Sequence, residues 1–200
     1  MGSRRKVLFI TSNAHKVQEI QELAAAESRA ITIEHLDYDY PELQLDTSEE
    51  VARESAAYIQ NQLTIKRPFF LEDSGLHIPA LNGFPGPFSA FVFRTIGNEG
   101  ILRLMADHTG EARTATFKTV VAYCASRTAT PLLFVGIVKG RIAETMRGTN
   151  GFGYDPLFEI RGKTFAEMSR EEKSKRSHRS RAFMKFLAHI SEQRSPDETI

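Results

Sequence analysis

A single cysteine among 200 residues, Cys124, excludes an internal disulfide, and its place in the apolar run VVAYCA makes it a buried core residue of a reduced compartment. No apolar run approaches the roughly 20 residues that a membrane-spanning helix needs. The amino-terminal stretch MGSRRKVLFI turns polar too soon for a secretory leader. Met1-Gly2 opens like a myristoylation signal, but Lys6 stands where Ser or Thr is wanted. An excess of charge of one sign is missing as well. With 26 Lys and Arg against 25 Asp and Glu the net charge is +1, which drives the whole chain neither onto nucleic acid nor onto a membrane. Low-complexity tracts, internal repeats and linkers are absent too. These absences leave a cytoplasmic globular protein as the expectation.

What is present is a core. Hydrophobic residues make up 41% and are spread along the chain, enough for one large domain or two tightly joined lobes. Lys6 to Ile10 predicts a buried strand, and Val17, Ile20, Leu23 and Ala24 give helical spacing from about His15 to Ala26. Ile31 to Leu36 alternates as a strand, so the chain opens as an α/β protein. Thr47 with Glu50 makes a capping box for a helix running to about Leu63. Phe69 to Glu72 reads as a brief strand ending in the turn DSG, and LNGFPGPF, residues 81–88, is too rich in Gly and Pro for regular structure. A helix is expected over Ile96 to Asp107, followed by an antiparallel meander of three strands: Thr114 to Ala125, Leu132 to Lys139 and Arg141 to Met146. A charged helical region from Ser169 to about Gln193 completes a single domain over 1–194, with 195–200 as a tail.

Five segments could carry chemistry. The turn Thr11 to Lys16 leaves a strand for a helix start, where backbone N–H groups, hydroxyls, an amide and a lysine suit a polyphosphate. It lacks the glycines of a P-loop, and an ordinary helix-capping turn would look similar. Glu42, in an acidic loop, and Glu72 and Asp73, at a strand end beside Gly75, are placed to hold a hard divalent cation or to activate water. Solvated acidic loops are the alternative, and for Asp37, Asp39 and Asp46 the preferred one. In GFPGPFS, residues 83–89, and GFGYDPLF, residues 151–158, glycine permits close backbone approach. Phe152 and Tyr154 there either stack on a flat base or anchor a loop on the core. The basic run KSKRSHRSR, Lys173 to Arg181, reads as a solvated face or a nucleic-acid patch unless the helix breaks between Lys175 and Ser177. Residues five apart do not share a face on one unbroken helix, so a joint role for Lys173 and His178 requires that break. Ser177 would then cap a second helix that turns Phe183, Phe186, Leu187 and Ile190 inward.

The order TSNAHK, PELQ, LEDSGL, ALNGFPGPFS, GFGYDPLF and EKSKRSHR, spanning about Lys6 to Leu187, resembles the inosine triphosphate pyrophosphatase family of non-canonical purine nucleotide pyrophosphatases. The resemblance implies a long twisted mixed sheet flanked by helices, in two lobes with a nucleotide cleft between them. It implies a homodimer and no nucleic-acid or membrane partner. The implied reaction is hydrolysis of inosine, deoxyinosine or xanthosine triphosphate to the monophosphate and pyrophosphate, with Mg2+ as cofactor. By residue, it implies that Thr11, Ser12, Asn13, Ala14, His15 and Lys16 hold the triphosphate, with Lys16 also catalytic. Glu42 and Asp73 would bind the metal, Asp73 would be the general base and Ser74 its substrate-contacting neighbour. Phe152, Gly153, Tyr154 and Asp155 would form the base-binding segment, and Lys173, His178 and Arg179 would close on the nucleotide and read its 6-oxo group. Two positions depart from the family pattern: Ser12 replaces a frequent Gly, and Ser55 a frequent Lys that reaches the phosphates. Two rival readings stand beside this one, a pyrophosphatase for modified pyrimidine or canonical nucleotides and a nucleotide- or RNA-binding protein without catalysis.

Overall fold

Side chains alternate in direction along a strand, and the alternation sorts the apolar runs of the first strands onto the two faces of one sheet. In the computed structural model, which describes residues 5–27, 31–41 and 43–192, β1 (Arg5–Ile10) lies between β2 (Ile31–Leu36) and β3 (Phe69–His77), parallel to both. The antiparallel strands β4 (Thr114–Cys124), β5 (Leu132–Ile142), β6 (Phe158–Ile160) and β7 (Lys163–Thr164) extend the sheet to seven strands in the order β2-β1-β3-β4-β5-β6-β7. Val7, Phe9, Phe70, Val121 and Tyr123 face α1 (Ala14–Glu27) and α6 (His178–Glu192). Leu8, Ile10, Phe69, Leu71, Val120 and Ala122 face α2 (Ser48–Gln62), and Cys124 lies fully buried among them, its thiol pushed up to about 12 by burial. Phe9 stacks on Phe70 at 4.6 Å and Phe70 packs on Phe186 at 4.8 Å, and each buried Phe contributes roughly 1.5–3 kcal/mol.

A third apolar cluster surrounds the far halves of the long strands, with Leu76, Ile78, Phe117, Val138, Phe158 and Phe165. Between this cluster and the first two, the paired strands turn polar. Asp73 stands opposite Val120, Ser74 opposite Thr119 and Gly75 opposite Lys118. That polar seam is where chemistry can be placed without cutting through a core.

The expected elements recur with three differences, besides β6 and β7, which the sequence did not lead us to expect. β3 does not stop at Glu72 but runs on through Asp73, Ser74 and Gly75 to His77, because β4 offers a continuous pairing partner. The strands expected on either side of Gly140 are one strand, β5, in which Gly140 pairs with Ala115 instead of turning the chain. The helix expected over Ile96 to Asp107 is the shorter α4 (Gly97–Leu104), and a helix that was not expected, α3 (Ser89–Thr95), precedes it, separated where Gly97 takes the left-handed φ of 61°. The break in the basic run is as expected. The short helix α5 (Arg170–Ser174) is capped by the Ser169–Glu172 box, and α6 starts afresh at His178, where Ser177 Oγ accepts from Ser180 N at 3.1 Å. Among the described residues no helix is long and apolar enough to cross a membrane. Met1, Gly2, Gln193 and the tail 195–200 lie outside the described residues.

One buried cation holds the third cluster together without a carboxylate. Arg113, 4% exposed, donates to the carbonyls of Ile142 (2.8 Å), Met105 (2.8 Å), His108 (3.0 Å) and Ala143 (2.7 Å). It ties the end of α4 to the end of β5. Each carbonyl stripped of its donor costs about 1–3 kcal/mol. Arg113→Met is therefore expected to lower unfolding free energy by at least about 3 kcal/mol, read from the urea midpoint.

Candidate active site

β1 pairs with β3 only at Phe69 and Phe70, so beyond that point β3 has an open edge, flanked by the loop that leaves β1. This is the position outside the carboxyl end of a parallel strand where α/β proteins bind ligands. The loop is tightly built. Thr11 Oγ1 accepts from Asn13 N at 3.2 Å, and Asn13 Oδ1 accepts from the N–H groups of His15 (3.0 Å) and Lys16 (3.1 Å), capping α1. Outside glycine only Asn82 and Arg161 have positive φ among the described residues, so Ser12 fits the turn without a left-handed backbone. Its hydroxyl donates to Asp39 Oδ1 at 3.3 Å.

Glu72 and Asp73 are neighbours in sequence but, by strand alternation, belong to opposite faces of the sheet. Glu72, 2% exposed, points toward α1 and α6 and gathers cations. Lys16 Nζ donates to its Oε1 at 2.9 Å and to its backbone carbonyl at 3.2 Å, and Arg179 donates to Oε1 through Nε (3.4 Å) and Nη2 (3.3 Å). Ser74 Oγ donates to Oε2 at 2.6 Å. Since that uses its only proton, Ser74 accepts from Thr119 Oγ1 at 2.6 Å and from Arg179 Nη2 at 3.3 Å. Arg179 Nη1 also binds Glu19, and Glu19 and Asp155 each accept from Lys173 Nζ at 2.6 Å. The result is an alternating chain, Lys16–Glu72–Arg179–Glu19–Lys173–Asp155, buried along most of its length. Burial alone would raise both glutamates, but Arg179 with Lys16 holds Glu72, and Arg179 with Lys173 holds Glu19, at about 2. Arg179 is raised in turn, and stays charged.

Asp73 has no such company. Burial pushes it up to about 6, against the pull of nearby Lys16, and its Oδ2 is buried without a hydrogen-bond partner. An orphaned carboxylate oxygen fits a divalent cation, which would satisfy it. Among the described residues no group of three or more His, Cys, Asp or Glu is arranged to hold a metal. A divalent cation there would take its remaining ligands from water and phosphate oxygens. Glu42, expected as the second ligand, lies outside the described residues.

The glycine-rich segments build the opposite wall. A Cβ on Gly75 would lie 2.4 Å from the Gly86 carbonyl oxygen, so only glycine there lets GFPGPFS lie against β3. Ser89 then knots three segments. Its Oγ accepts from Leu76 N (2.8 Å) and donates to Gly86 O (2.7 Å), while its carbonyl accepts from Tyr154 Oη (2.8 Å). Tyr154 is thus a loop anchor in the core, its hydroxyl already engaged. Asp155 Oδ2 accepts from Phe152 N at 2.8 Å, which pins the Phe152 turn. The Phe152 ring stacks on His15 at 4.9 Å, with Lys173 Nζ at 5.1 Å and the Arg179 guanidinium carbon at 5.4 Å from its centroid. His178 stacks on Phe117 at 4.3 Å. Burial, then the cations Arg179 and Lys173, hold its pKa well below the usual value, and its Nδ1 has no partner.

These residues converge on one cavity of about 500 Å³. Thr11, Ser12, Asn13, His15, Lys16, Asp73, Ser74, the segment 152–155, Lys173, His178 and Arg179 all line it, whereas Ala14, within α1, does not. Ser55 also lines it, 2% exposed on α2. Sequence reasoning did not single out Glu19, Thr119 or Ser89, and it passed over Glu72 for Asp73. One signal was available for Glu19: it stands three residues after Lys16 on the helix that starts at the phosphate-type turn, and so shares its face.

Comparison with known proteins gives the family. A family model described as the Ham1 family matches residues 7–189. A dITP/XTP pyrophosphatase of Methanopyrus kandleri is 50% identical, covering 90% of this chain and 94% of its own length. One of Thermococcus kodakarensis is 43% identical, covering 94% and 98%. Among solved structures, a HAM1 protein from Coxiella burnetii is 30% identical with a TM-score of 0.80, over 94% of this chain and 99% of that one. The Staphylococcus aureus Ham1 protein is 27% identical with a TM-score of 0.76, over 94% and 100%.

Glu72→Gln leaves Lys16 and Arg179 facing a neutral amide and is expected to cost roughly 3–5 kcal/mol at pH 7. Because the native pKa is about 2 against an ordinary 4.5, the stabilisation is complete above pH 4.5 and is lost as pH falls toward 2. The stability gap between native protein and variant should close across that window in urea titrations. A gap that stays constant to pH 3 would contradict the assignment.

Proposed function

The chain belongs to the Ham1 family, and from that premise we propose that it hydrolyses non-canonical purine nucleoside triphosphates, those of inosine, deoxyinosine and xanthosine, to the monophosphate and pyrophosphate. The observation that carries this reading is the unpartnered Asp73 oxygen in the wall of the same cavity as the Thr11–Lys16 helix start and the Phe152–His178–Arg179 corner. A phosphate cradle, a candidate base and a flat aromatic corner within about 500 Å³ suit one nucleotide.

In the proposed reaction the triphosphate lies along Ser12, Asn13 and the first N–H groups of α1, where the helix start favours anions. Asp73 and Glu42 would hold Mg2+, which would supply neutralisation of phosphate charge. Asp73, with a pKa near 6, is ionised at neutral pH and still basic enough to take the proton of an attacking water. The water oxygen bonds to the α-phosphorus in line as the α–β bridging bond breaks, and pyrophosphate leaves with the bond's electron pair. Lys16 and Lys173 offset the charge that develops. No covalent intermediate is required.

Selectivity follows from donor and acceptor matching. Hypoxanthine and xanthine present an acceptor oxygen at position 6, where adenine presents an amine. Arg179 offers only donors, and Glu72 and Glu19 hold it rigidly, so an adenine amine facing it would be buried without an acceptor. His178, neutral and stacked on Phe117, adds a polar edge with a free ring nitrogen. Burial of Lys173 and Arg179 supports an enzyme over a nucleic-acid binder, since these cations are withdrawn from the surface.

A cytoplasmic homodimer completes the reading. Exposed Phe91 and Phe93 on α3, Leu104 on α4 and Ile96 between them supply an apolar surface for the second copy. Ile96→Glu with Leu104→Glu should convert a dimer of two 22.5 kDa chains into a monomer in light scattering.

Incubation with the four triphosphates of inosine, xanthosine, adenosine and guanosine plus Mg2+ should give monophosphate and pyrophosphate far faster from the first two. Orthophosphate with diphosphate as products would rule out attack at the α-phosphorus. Asp73→Asn should lower kcat by at least about 100-fold, in line with loss of a general base. It should also raise the melting temperature in chelator at pH 8. A carboxylate raised from 3.8 to about 6 by burial destabilises the fold once ionised, so the gain should fade as pH drops from 6 toward 4.

A further inference from the structure

The basic run Lys173 to Arg181 divides at the α5–α6 break. Lys173, His178 and Arg179 enter the active cavity, while Arg176 and Arg181 emerge on another side of the fold. There they join Lys139 and Arg141 of β5 and Arg161 of the β6–β7 turn around a second concavity of about 800 Å³. Five cations from four separate segments thus line one hollow that the hydrolytic reaction does not use. Its acidic residues do little to balance them. Glu159 is taken by Arg147 at 2.6 Å, which leaves Glu111. Among the described residues, none of the five cations forms an ion pair.

Three details indicate that the hollow is built and is not a chance gathering of surface charge. Arg181 Nη1 donates to the Ile137 carbonyl at 2.7 Å, which fixes its guanidinium at the β5 edge. Arg141 is half-buried, and its Nε is shielded from solvent without a hydrogen-bond partner. Arg161 occupies the first position of a two-residue hairpin turn at φ 50°, followed by Gly162 at φ 81°. Turns of this kind favour Asn or Asp ahead of Gly, and a long side chain in the left-handed region costs on the order of 1 kcal/mol. Turn geometry therefore does not account for arginine there, whereas a charge at the mouth of the hollow does.

Uncompensated like charges in a concave surface repel one another and focus a positive field on the space between them. Guanidinium forks match phosphate oxygens two at a time. From these observations we propose that this concavity is a second anion site, separate from the active cavity, that takes a condensed phosphate: inorganic pyrophosphate or triphosphate, or the phosphate tail of a nucleotide. A single phosphate would meet too few of the five cations, and the absence of a paired aromatic face in the lining leaves a base without a stacking partner. The site touches the active cavity through backbone. Arg176 N and Ser177 N both donate to the Lys173 carbonyl, at 3.0 and 2.8 Å, so an anion on Arg176 restrains the turn that carries Lys173 and His178.

The test is calorimetric titration of the whole, chelator-treated protein with inorganic triphosphate, beside Lys139→Glu/Arg161→Glu and Lys16→Ala variants. Lys139 and Arg161 are exposed and outside the catalytic machinery, so the double variant should fold and hydrolyse inosine triphosphate at the native kcat. The expected result is one binding equivalent per chain that Lys16→Ala leaves intact and the double variant weakens at least 10-fold. Adenosine triphosphate on the same samples distinguishes the sources. Equal affinity assigns the site to the condensed phosphate itself, and tighter binding of the nucleotide assigns it to a nucleotide tail. The proposal fails if the only equivalent disappears with Lys16→Ala, if the double variant binds as the native protein does, or if orthophosphate binds as tightly as triphosphate.

Discussion

Glu72 is a carboxylate with almost no access to water, at the point where β3 leaves the shelter of β1. Removing such a charge from solvent costs several kcal/mol, which only excellent partners offset. Lys16, Arg179 and Ser74 are those partners, and each comes from a different element. Through Arg179 and Glu19 the same charge balance reaches Lys173 and Asp155, and through Asp155 it fixes the Phe152 turn. The Lys16 end and the Phe152 end of the cavity are therefore parts of one electrostatic unit. A change at either end alters the desolvation balance at the other, so effects of single substitutions along this chain should not add.

The contrast with Asp73 shows how one strand serves two purposes. One carboxylate is satisfied in every direction and held at about 2; the next is left short of partners and drifts up to about 6. The first is fixed as an anion and gives rigidity. The second keeps an unpartnered oxygen, at a cost to stability, as its proposed roles in metal binding and proton transfer require. Pairs of titratable groups whose environments push their pKa values apart mark a division of labour in many active sites.

Much of this was legible in the sequence because the signals were local. The 3.6-residue spacing of Val17, Ile20 and Leu23, the Thr47–Glu50 capping box and the break before Ser177 all depend on residues within a turn or two of each other. The site residues that the motifs named line the cavity, except Ala14 and the undescribed Glu42. What escaped depended on distant neighbours. The length of β3 and the unity of β5 follow from strand pairing, which no window of sequence contains, and Gly140 looked like a turn because its partner Ala115 lies 25 residues away. Glu19 and Thr119 carry no motif of their own, and their roles appear only once Lys173, Arg179 and Ser74 are folded against them.

The opposite facing of Glu72 and Asp73 also limits how this gene can change length. In a strand the side chains swap faces with every residue gained or lost. A one-codon insertion or deletion between Phe69 and Asp73 would turn the poised carboxylate into the cation network and the anchoring one toward α2. A substitution at Glu72 or Asp73 alters one function at a time, but an indel ahead of them would exchange both in a single event. Length variation should therefore accumulate in the surface connections, such as residues 125–131, and spare this strand.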